Sequence, residues 1–427
     1  MDQRRFDNQH SETLTAKEAA RALDVKLSTL YAYKSRGLLT SVPVKGSRAR
    51  RYLRADIDRL KQRHEARAGH TAVAANALNW GEPVLDTSIT RFDAGGLYYR
   101  GHSAVELARS GVSFERVAEL LWTGVLPESV PAAEAIGAGL PLDQLVALLP
   151  PKLSPFLTLA AVVPLLAAHD PSRLVIAPAV EVARARLLTR RLLAMVALTT
   201  TPNRVGRALE TPGLAASLAV VWGLSPKPPA VDALNAALVL CADHELNPSS
   251  FAARTAASTG ADLYACISAG LAVMSGPKHG GASERVEALA RETGHAGRAK
   301  ATVQERLERG DDVPGFGHPL YVGGDPRGQL LMTIAGEVGQ ARNPRRQTLQ
   351  AIAATVEESH GVKPNLDFGL ATLAAALHLP PGCGAAIFAL GRTAGWVAHV
   401  FEQREAGYIL RPRARYVDKS PAAGPGQ

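Results

Sequence analysis

The segment Val313-Pro-Gly-Phe-Gly-His-Pro-Leu-Tyr-Val-Gly-Gly-Asp-Pro-Arg327 says more about the fold and its purpose than any other part of the chain. Its histidine, His318, follows a Gly-Phe-Gly turn, and Arg327 comes nine residues later, behind Asp-Pro. Glycine lets a backbone approach a ligand closely, and proline stiffens the chain around it. We therefore expect a rigid loop whose imidazole and guanidinium are suited to polarising a carbonyl and binding a carboxylate.

Comparable blocks lie on both sides of this loop, and each sets a histidine, an acid or an arginine among small or aromatic residues. They occupy residues 85–90, 96–103, 243–254, 275–284, 363–368, 391–399 and 410–416. In this order and at these spacings, the blocks resemble the citrate synthase family over about residues 81–417. The resemblance implies a large and a small helical domain, with the small one at roughly residues 281–378.

The same resemblance implies a reaction, the joining of the methyl carbon of acetyl-CoA to the ketone of oxaloacetate, followed by release of citrate and CoA. Such chemistry needs a base for the methyl proton, a neutral donor to the enol oxygen and a group that polarises the ketone. Asp367 matches the family's catalytic base, His279 the donor to the thioester carbonyl and His318 the group that polarises the ketone. One nearby position departs from the family, because Ser283 stands where asparagine is common.

A second set of residues matches the family's binding site for oxaloacetate: His244, Arg327, Arg392 and Arg411. In the family, the arginine that precedes the C-terminal proline enters the site from the partner subunit. We therefore expect a homodimer in which Arg411 completes the neighbour's site. His399 follows Arg392 on the same predicted helix, and we interpret it as a hydrogen-bonded core histidine.

Composition narrows the class of protein. The three cysteines, Cys241, Cys266 and Cys383, have apolar neighbours and form no disulfide or metal-ligand pattern. The first residues carry no signal-peptide pattern. The apolar run at 156–168 is short and interrupted by proline, so we expect a core helix there and no association with a membrane. We expect a cytoplasmic protein with no metal and no cofactor, for which acetyl-CoA is a substrate.

Positive charge is concentrated at the start of the chain. Residues 1–70 hold sixteen basic and eight acidic side chains, a net of +8 out of +9 for the whole protein. This asymmetry predicts a separate module that faces an anionic partner.

Within that module, two short helices with a tight turn between them predict a helix-turn-helix. Thr15 and Glu18 form a capping-box pattern at the start of the first helix. The second helix is predicted to begin after Ser28 as its N-cap and to stop at Gly37. A third helix is predicted over residues 55–63.

The basic stretch at residues 45–54 resembles the wing of MerR-like DNA-binding domains. A DNA-binding role predicts base contacts from the second helix and phosphate contacts from the wing. The candidates are Ser28, Thr29, Tyr31, Tyr33 and Lys34 on the helix, and Lys45, Arg48, Arg50 and Arg51 on the wing. The alternative is a basic helical hairpin that docks on another protein.

Beyond this winged helix-turn-helix domain at residues 1–65, we predict a linker at 66–80, a helical domain at 81–417 and a disordered tail at 418–427. Except for a short strand pair near residues 83–100, the helical period dominates, so the predicted fold class is all-α. Two functions remain open: a citrate synthase or 2-methylcitrate synthase, and a transcriptional regulator that senses oxaloacetate or acyl-CoA. A regulator has no need for Asp367, whereas the basic first module favours regulation.

Overall fold

The chain forms two units in the computed structural model: Met1–Asp86 with Pro412–Gln427, and Thr87–Arg411. The structure describes residues 13–23, 25–35, 39, 41–43, 50–54, 56–57, 85–93, 96–130, 136–321, 323–339 and 342–412. The predicted linker, the predicted tail, most of the predicted third helix, and Lys45 and Arg48 lie outside these residues.

The first unit contains the two predicted helices, α1 (Ala16–Ala22) and α2 (Leu27–Ser35). The capping box at α1 is confirmed, because the Glu18 amide donates to Thr15 Oγ1 and the Thr15 amide donates to the Glu18 carboxylate at 2.8 Å. The prediction of Ser28 as the N-cap of α2 is wrong. Helical hydrogen bonding already starts at the carbonyl of Lys26, which accepts from the amides of Thr29 and Leu30.

A small antiparallel sheet accompanies these helices. Its strands are β1 (Thr13–Thr15), β2 (Ser41–Pro43) and β3 (Arg50–Leu53), in the order β1-β3-β2. Tyr52 on the central strand pairs with Leu14 and Ser41 and is buried against Leu30 and Ile57. Strand β3 falls within the predicted wing at residues 45–54, whereas β2 precedes it and residues 45–49 of the wing lie outside the described part.

The second unit opens with another antiparallel sheet, β4 (Thr90–Asp93), β5 (Gly96–Tyr99) and β6 (His102–Ser103). This sheet confirms the strand pair expected near residues 83–100. The phenol of Tyr99 donates to the carbonyls of Val239 and Asp243, at 3.0 and 3.2 Å, which fixes the sheet against the helical body.

Helices account for the rest of this unit, as the sequence predicts. The first half contains α3 (Ala104–Arg109), α4 (Phe114–Thr123), α5 (Leu142–Leu148), α6 (Pro155–Ala168), α7 (Pro178–Met195), α8 (Val205–Glu210), α9 (Leu214–Val221), α10 (Ala230–Cys241), α11 (Pro248–Ser258) and α12 (Leu263–Met274). The second half contains α13 (Ala282–Thr293), α14 (Ala299–Glu308), α15 (Pro326–Val338), α16 (Pro344–His360), α17 (Leu366–Ala376) and α18 (Cys383–Ala406). Single 3₁₀ turns at Pro202–Arg204 and Ala296–Arg298 precede α8 and α14.

Helix α18 lies at the centre of the main core and packs against α10, α11, α12 and α17. It is buried on all sides from Cys383 to Val400, where most of its side chains are small or apolar. A second hydrophobic cluster is formed by α13, α14, α16 and one side of α17. This cluster falls inside the predicted small domain, whose limits remain a prediction. In the part of the chain that the structure describes, no helix is long and apolar enough to cross a membrane.

Candidate active site

The loop that carries His318 is fixed to the start of α17. Gly315 and Gly317 adopt φ angles of +87° and +68°, which residues with a side chain rarely adopt. Their carbonyls accept hydrogen bonds from the backbone amide and the side-chain amide of Asn365, at 2.9 and 3.1 Å. Since Asn365 is also the N-cap of α17, this pairing ties the loop of His318 to the first turn of the helix, which carries Asp367.

Three aromatic rings meet at this loop: His244, His318 and Tyr321. The ring centroids of the two histidines lie 5.1 Å apart, and His244 Nε2 lies 3.0 Å from the Tyr321 hydroxyl. His318 Nδ1 accepts the backbone N–H of Leu320 at 3.2 Å. A neutral His318 therefore carries its proton on Nε2, where it can be donated to a ligand.

The histidines of the site are held in their neutral form. Burial lowers the pKa of His244 well below its ordinary value, and the positive charge of Arg327 lowers it further. The same two causes lower the pKa of His318. Burial, followed by the charge of Arg392, lowers the pKa of His279 to about 4. At neutral pH all three imidazoles are thus uncharged hydrogen-bond donors.

Arg327 is buried and already has a partner. Its Nε and Nη2 donate to the two carboxylate oxygens of Asp325, at 3.0 and 2.9 Å. Asp325 Oδ2 also accepts the backbone N–H of Leu366 at 3.1 Å. The Arg327 guanidinium lies over the ring of Tyr321, 5.2 Å from its centroid. Asp325 therefore joins the guanidinium to the helix that carries Asp367.

Asp367 is a partly buried carboxyl that keeps one strong hydrogen bond. Ser283 Oγ donates to its Oδ1 at 2.7 Å. Burial raises the pKa of Asp367 to about 6, although Ser283 and the charges of Arg327 and Arg392 act in the opposite direction. A carboxylate with this pKa is ionised at neutral pH and is a stronger base than an ordinary one.

His279 is oriented by a serine hydroxyl. Its Nε2 lies 2.9 Å from Ser249 Oγ, which also accepts from Trp396 Nε1 at 3.1 Å. The single hydroxyl hydrogen of Ser249 can point to His279 or to Asn247 Oδ1, 2.7 Å away. Asn247 Oδ1 already accepts two backbone N–H groups at the start of α11. Its hydrogen-bonding capacity is therefore satisfied without the Ser249 hydroxyl, which leaves that hydrogen available to His279.

Arg392 differs from Arg327 in that no acidic side chain of the described residues forms an ion pair with it. It is buried, its Nε donates to the carbonyl of Cys241 at 2.9 Å, and its guanidinium lies 4.9 Å from the centroid of Phe388. Among the described residues, no carboxylate oxygen lies within 4.0 Å of its nitrogens. Buried charges are normally paired, so this guanidinium is a candidate anion-binding group.

Six of the seven residues proposed from sequence thus share one environment. The charges of Arg327 and Arg392 both act on His244 and Asp367, while that of Arg327 acts on His318 and that of Arg392 on His279. The seventh, Arg411, is exposed and makes no hydrogen bond or ion pair with another described residue. The segment just before it is anchored, because the backbone N–H of Leu410 donates to Ser258 Oγ at 3.1 Å.

Four supporting residues were not proposed from sequence: Ser249, Ser283, Tyr321 and Asp325. Each of them lies inside one of the blocks that carry the proposed site residues. Closeness in sequence to those residues was the signal that could have identified them. His399 is fully buried, as expected for a core residue. The expected hydrogen bond is found only as a loose contact, since His399 Nε2 lies 3.3 Å from Asp243 Oδ1 without the geometry of a regular hydrogen bond.

In the first unit, the candidate DNA-binding residues have different surroundings. Tyr31 is exposed, Thr29 and Lys34 are half-buried, and Tyr33 packs against the small core. Arg51 is hydrogen-bonded to β1, because it donates to Thr13 Oγ1 and to the Thr13 carbonyl at 2.8 and 2.7 Å. Arg50 is exposed and donates to Ser41 at 2.9 Å. Ser28 lies in α2, and its side chain is outside the described part.

Comparison with known proteins identifies similar sequences and folds. A model of the citrate synthase C-terminal domain matches residues 77–413, and a model of a helix-turn-helix domain matches residues 13–65. A putative citrate synthase 2 of Mycobacterium tuberculosis is 32% identical over 337 residues, which cover 77% of this chain and 88% of that protein. A 2-methylcitrate synthase of the same species is 31% identical over 347 residues, 77% of this chain and 86% of that protein. The crystal structure of citrate synthase from Thermotoga maritima superposes with a TM-score of 0.63 at 26% identity, covering 81% of this chain and 96% of that one.

Proposed function

Since this chain belongs to the citrate synthase family and is a transferase acting on acyl groups, we propose that it condenses acetyl-CoA with oxaloacetate to give citrate and CoA. The observation that carries the proposal is the shared environment of Asp367, with its pKa raised to about 6, and three neutral imidazoles. A base and neutral donors are what the formation of an enol from a thioester requires.

In the first half of the reaction, Asp367 takes a proton from the methyl carbon next to the thioester. His279 donates from Nδ1 to the thioester oxygen as the enol forms. This role requires the Ser249 hydroxyl hydrogen to point at Nε2, 2.9 Å away, because a neutral imidazole has one N–H. Deprotonation is thereby separated from stabilisation of the oxygen, and each task has its own residue.

In the second half, the enol carbon attacks the ketone of oxaloacetate to form citryl-CoA, and water then hydrolyses its thioester to give citrate and CoA. His318 donates to the ketone oxygen from Nε2, which is supported by its Nδ1 accepting from Leu320. His244 binds oxaloacetate near the same oxygen, and Arg327 and Arg392 bind its carboxylates. The Arg392 guanidinium is a suitable partner because no carboxylate oxygen of a described residue lies within 4.0 Å of it.

We further propose a homodimer in which Arg411 contributes to the partner's site. Support comes from the exposure of this arginine at the end of an anchored segment, next to exposed Tyr408 and Ile409. Exposed apolar side chains beside an unpaired arginine are typical of a surface that a partner covers.

A second function is proposed for the first unit, the binding of DNA. Its support is the match to a helix-turn-helix model over residues 13–65 and the exposed Tyr31 on α2. The excess positive charge of residues 1–70 favours an anionic partner.

The synthase proposal is tested by release of free CoA thiol from acetyl-, propionyl- and butyryl-CoA, with and without oxaloacetate. We expect release that depends on oxaloacetate and that continues in the presence of a metal chelator. The putative citrate synthase 2 and the 2-methylcitrate synthase match this chain about equally, at 32% and 31% identity. Similarity therefore does not decide the preferred acyl chain, and the assay does.

Asp367→Asn should lower kcat by about 10²- to 10⁴-fold, the scale of losing a general base. The matched control is Asp143→Asn, which changes an exposed aspartate in the first turn of α5. Equal rates for Asp367→Asn and the wild type would remove the base assignment. Oxaloacetate binding without thiol release from any acyl-CoA would favour the regulator that senses oxaloacetate.

A further inference from the structure

Helix α18 carries two buried side chains that face the same acid. Arg392 and His399 are seven residues apart, which puts them on one side of the helix. Between them, the Gly395 backbone N–H donates to the Ala242 carbonyl at 2.9 Å. A Cβ at position 395 would lie 2.3 Å from Asp243 Oδ1, so only glycine lets the Asp243 carboxylate sit this close to the helix.

Asp243 is a fully buried carboxylate directly before His244. Its Oδ2 accepts from Thr90 Oγ1 at 2.5 Å. Its Oδ1 lies 3.3 Å from His399 Nε2, without the geometry of a regular hydrogen bond. Burial by itself would raise the pKa of Asp243, but His399 and Arg392 outweigh it and hold the pKa below its ordinary value. A negative charge is therefore present beside α18.

A buried carboxylate is costly unless a positive or donating group faces it. Besides the Thr90 hydroxyl, two such groups are available to Asp243, the imidazole of His399 and the guanidinium of Arg392. A close ion pair with Arg392 would occupy the guanidinium that the proposed reaction needs for substrate. The observed contact is instead with His399, and no carboxylate oxygen of a described residue lies within 4.0 Å of Arg392.

We propose that His399 is a positioning residue: its imidazole holds the Asp243 carboxylate and thereby keeps the Arg392 guanidinium free for a carboxylate of oxaloacetate. The inference rests on the proposed function, because it names how that site is kept open for its dicarboxylate. It concerns binding of oxaloacetate and not proton transfer, so its signature is an effect on KM and not on kcat.

The test starts with His399→Leu in the full-length protein. With its imidazole partner gone, Asp243 turns to Arg392 and competes with substrate. We expect the KM for oxaloacetate to rise about tenfold or more, while kcat and the KM for acyl-CoA change by less than about threefold. His399→Gln, whose amide can still donate to Asp243, should retain most of the affinity.

The decisive variant is Asp243→Asn added to His399→Leu. It removes the competing charge, so the KM for oxaloacetate should return toward the wild-type value. Damage to packing alone would leave the double variant as weak as His399→Leu or weaker. Thr393→Val, at another buried polar position of α18, is the matched control, and thermal melting of each variant monitors folding.

An unchanged oxaloacetate KM in His399→Leu, or no recovery in the double variant, would overturn the inference. Calorimetric titration with oxaloacetate keeps it separate from the proposed function. Wild-type protein that binds oxaloacetate but releases no thiol would refute the synthase proposal, and the dissociation constants of the variants would still decide the role of His399. Failure of the wild type to bind oxaloacetate at all would overturn both.

Discussion

Ser283 Oγ donates a hydrogen bond of 2.7 Å to Asp367 Oδ1, and the pKa of this carboxyl is nevertheless raised to about 6. Two opposing causes are therefore balanced at the proposed base. Burial disfavours the carboxylate, while the serine hydroxyl favours it. Burial makes the carboxyl basic enough to take a proton from carbon, while the serine and the charges of Arg327 and Arg392 keep its pKa low enough for ionisation at neutral pH.

The first prediction concerns the pH dependence of kcat. Only ionised Asp367 can accept a proton, so kcat should fall as the pH drops through about 6. Ser283→Ala removes a donor that stabilises the charged form, which raises the pKa of Asp367 further. The acid limb of the profile should move to higher pH by about half a unit to one unit. Ser268→Ala, at a helical serine that donates to the Tyr264 carbonyl, is the control, and a limb that stays in place would show that Ser283 does not tune the base.

The second prediction concerns the orientation of His279. Ser249→Ala removes the hydroxyl that faces His279 Nε2, so the imidazole loses its preferred proton position. We expect kcat to fall about ten- to a hundredfold, less than for complete loss of an oxyanion donor. The KM for oxaloacetate should change little, because His244, His318 and Arg327 keep their contacts.

The neighbouring Ser250 supplies a matched control for this experiment. It is equally buried, but its hydroxyl has no hydrogen-bond partner among the described residues. Steady-state kinetics of Ser249→Ala and Ser250→Ala should therefore differ. Similar losses of kcat in both variants would indicate a packing effect and not the orientation of His279.

The sequence predicted the principal groups of this site better than it predicted their support. His279, His318 and Asp367 lie in distinctive blocks that contain glycine or proline, so the local sequence is enough to propose them. The hydroxyls of Ser249 and Ser283 act across 30 and 84 residues of sequence, at a distance no local pattern encodes.

The fold shows the same division between local and distant determinants. Helical periodicity and capping patterns predicted the all-α architecture and the start of α1, because both depend on neighbours in sequence. The N-cap of α2 was predicted wrongly, because Ser28 is a residue type typical of N-caps but lies one position inside the helix. The unusual contact of His399 could not be predicted either, since it depends on Gly395 letting Asp243 reach α18.

The third prediction tests the shared arginine by mixing inactive subunits. Arg411→Ala should weaken oxaloacetate binding, and Asp367→Asn should abolish most turnover. If Arg411 acts across the interface, each hybrid dimer contains one site with both groups intact. Random exchange at equal amounts should then restore about a quarter of the wild-type activity. Subunit exchange is verified by mass spectrometry, and hybrids that stay inactive after exchange would assign Arg411 to its own subunit's surface.

The last prediction concerns DNA binding by the first unit. Binding to a random-sequence duplex, measured by fluorescence anisotropy, should weaken steeply with salt, because each neutralised phosphate releases condensed counterions. About five phosphate contacts would give a log–log slope near −4 to −5. Removal of residues 1–70 should abolish this binding and leave thiol release largely unchanged, since the proposed catalytic residues all lie in the second unit. Loss of thiol release in that variant would make the first unit part of the synthase.

Substitution of two tyrosines of α2 distinguishes an effect on DNA contact from an effect on folding, when DNA affinity and thermal stability are both measured. Tyr31 is exposed, so Tyr31→Ala should reduce DNA affinity without lowering the thermal stability of the first unit. Tyr33 packs against the core formed by Leu30 and Tyr52, so Tyr33→Ala should lower stability. Arg50→Ala and Arg51→Ala form a second pair, because Arg50 is exposed whereas Arg51 holds β1 through Thr13. DNA affinity that is absent, insensitive to salt or unaffected by Tyr31→Ala and Arg50→Ala would leave the unit as a protein-docking element.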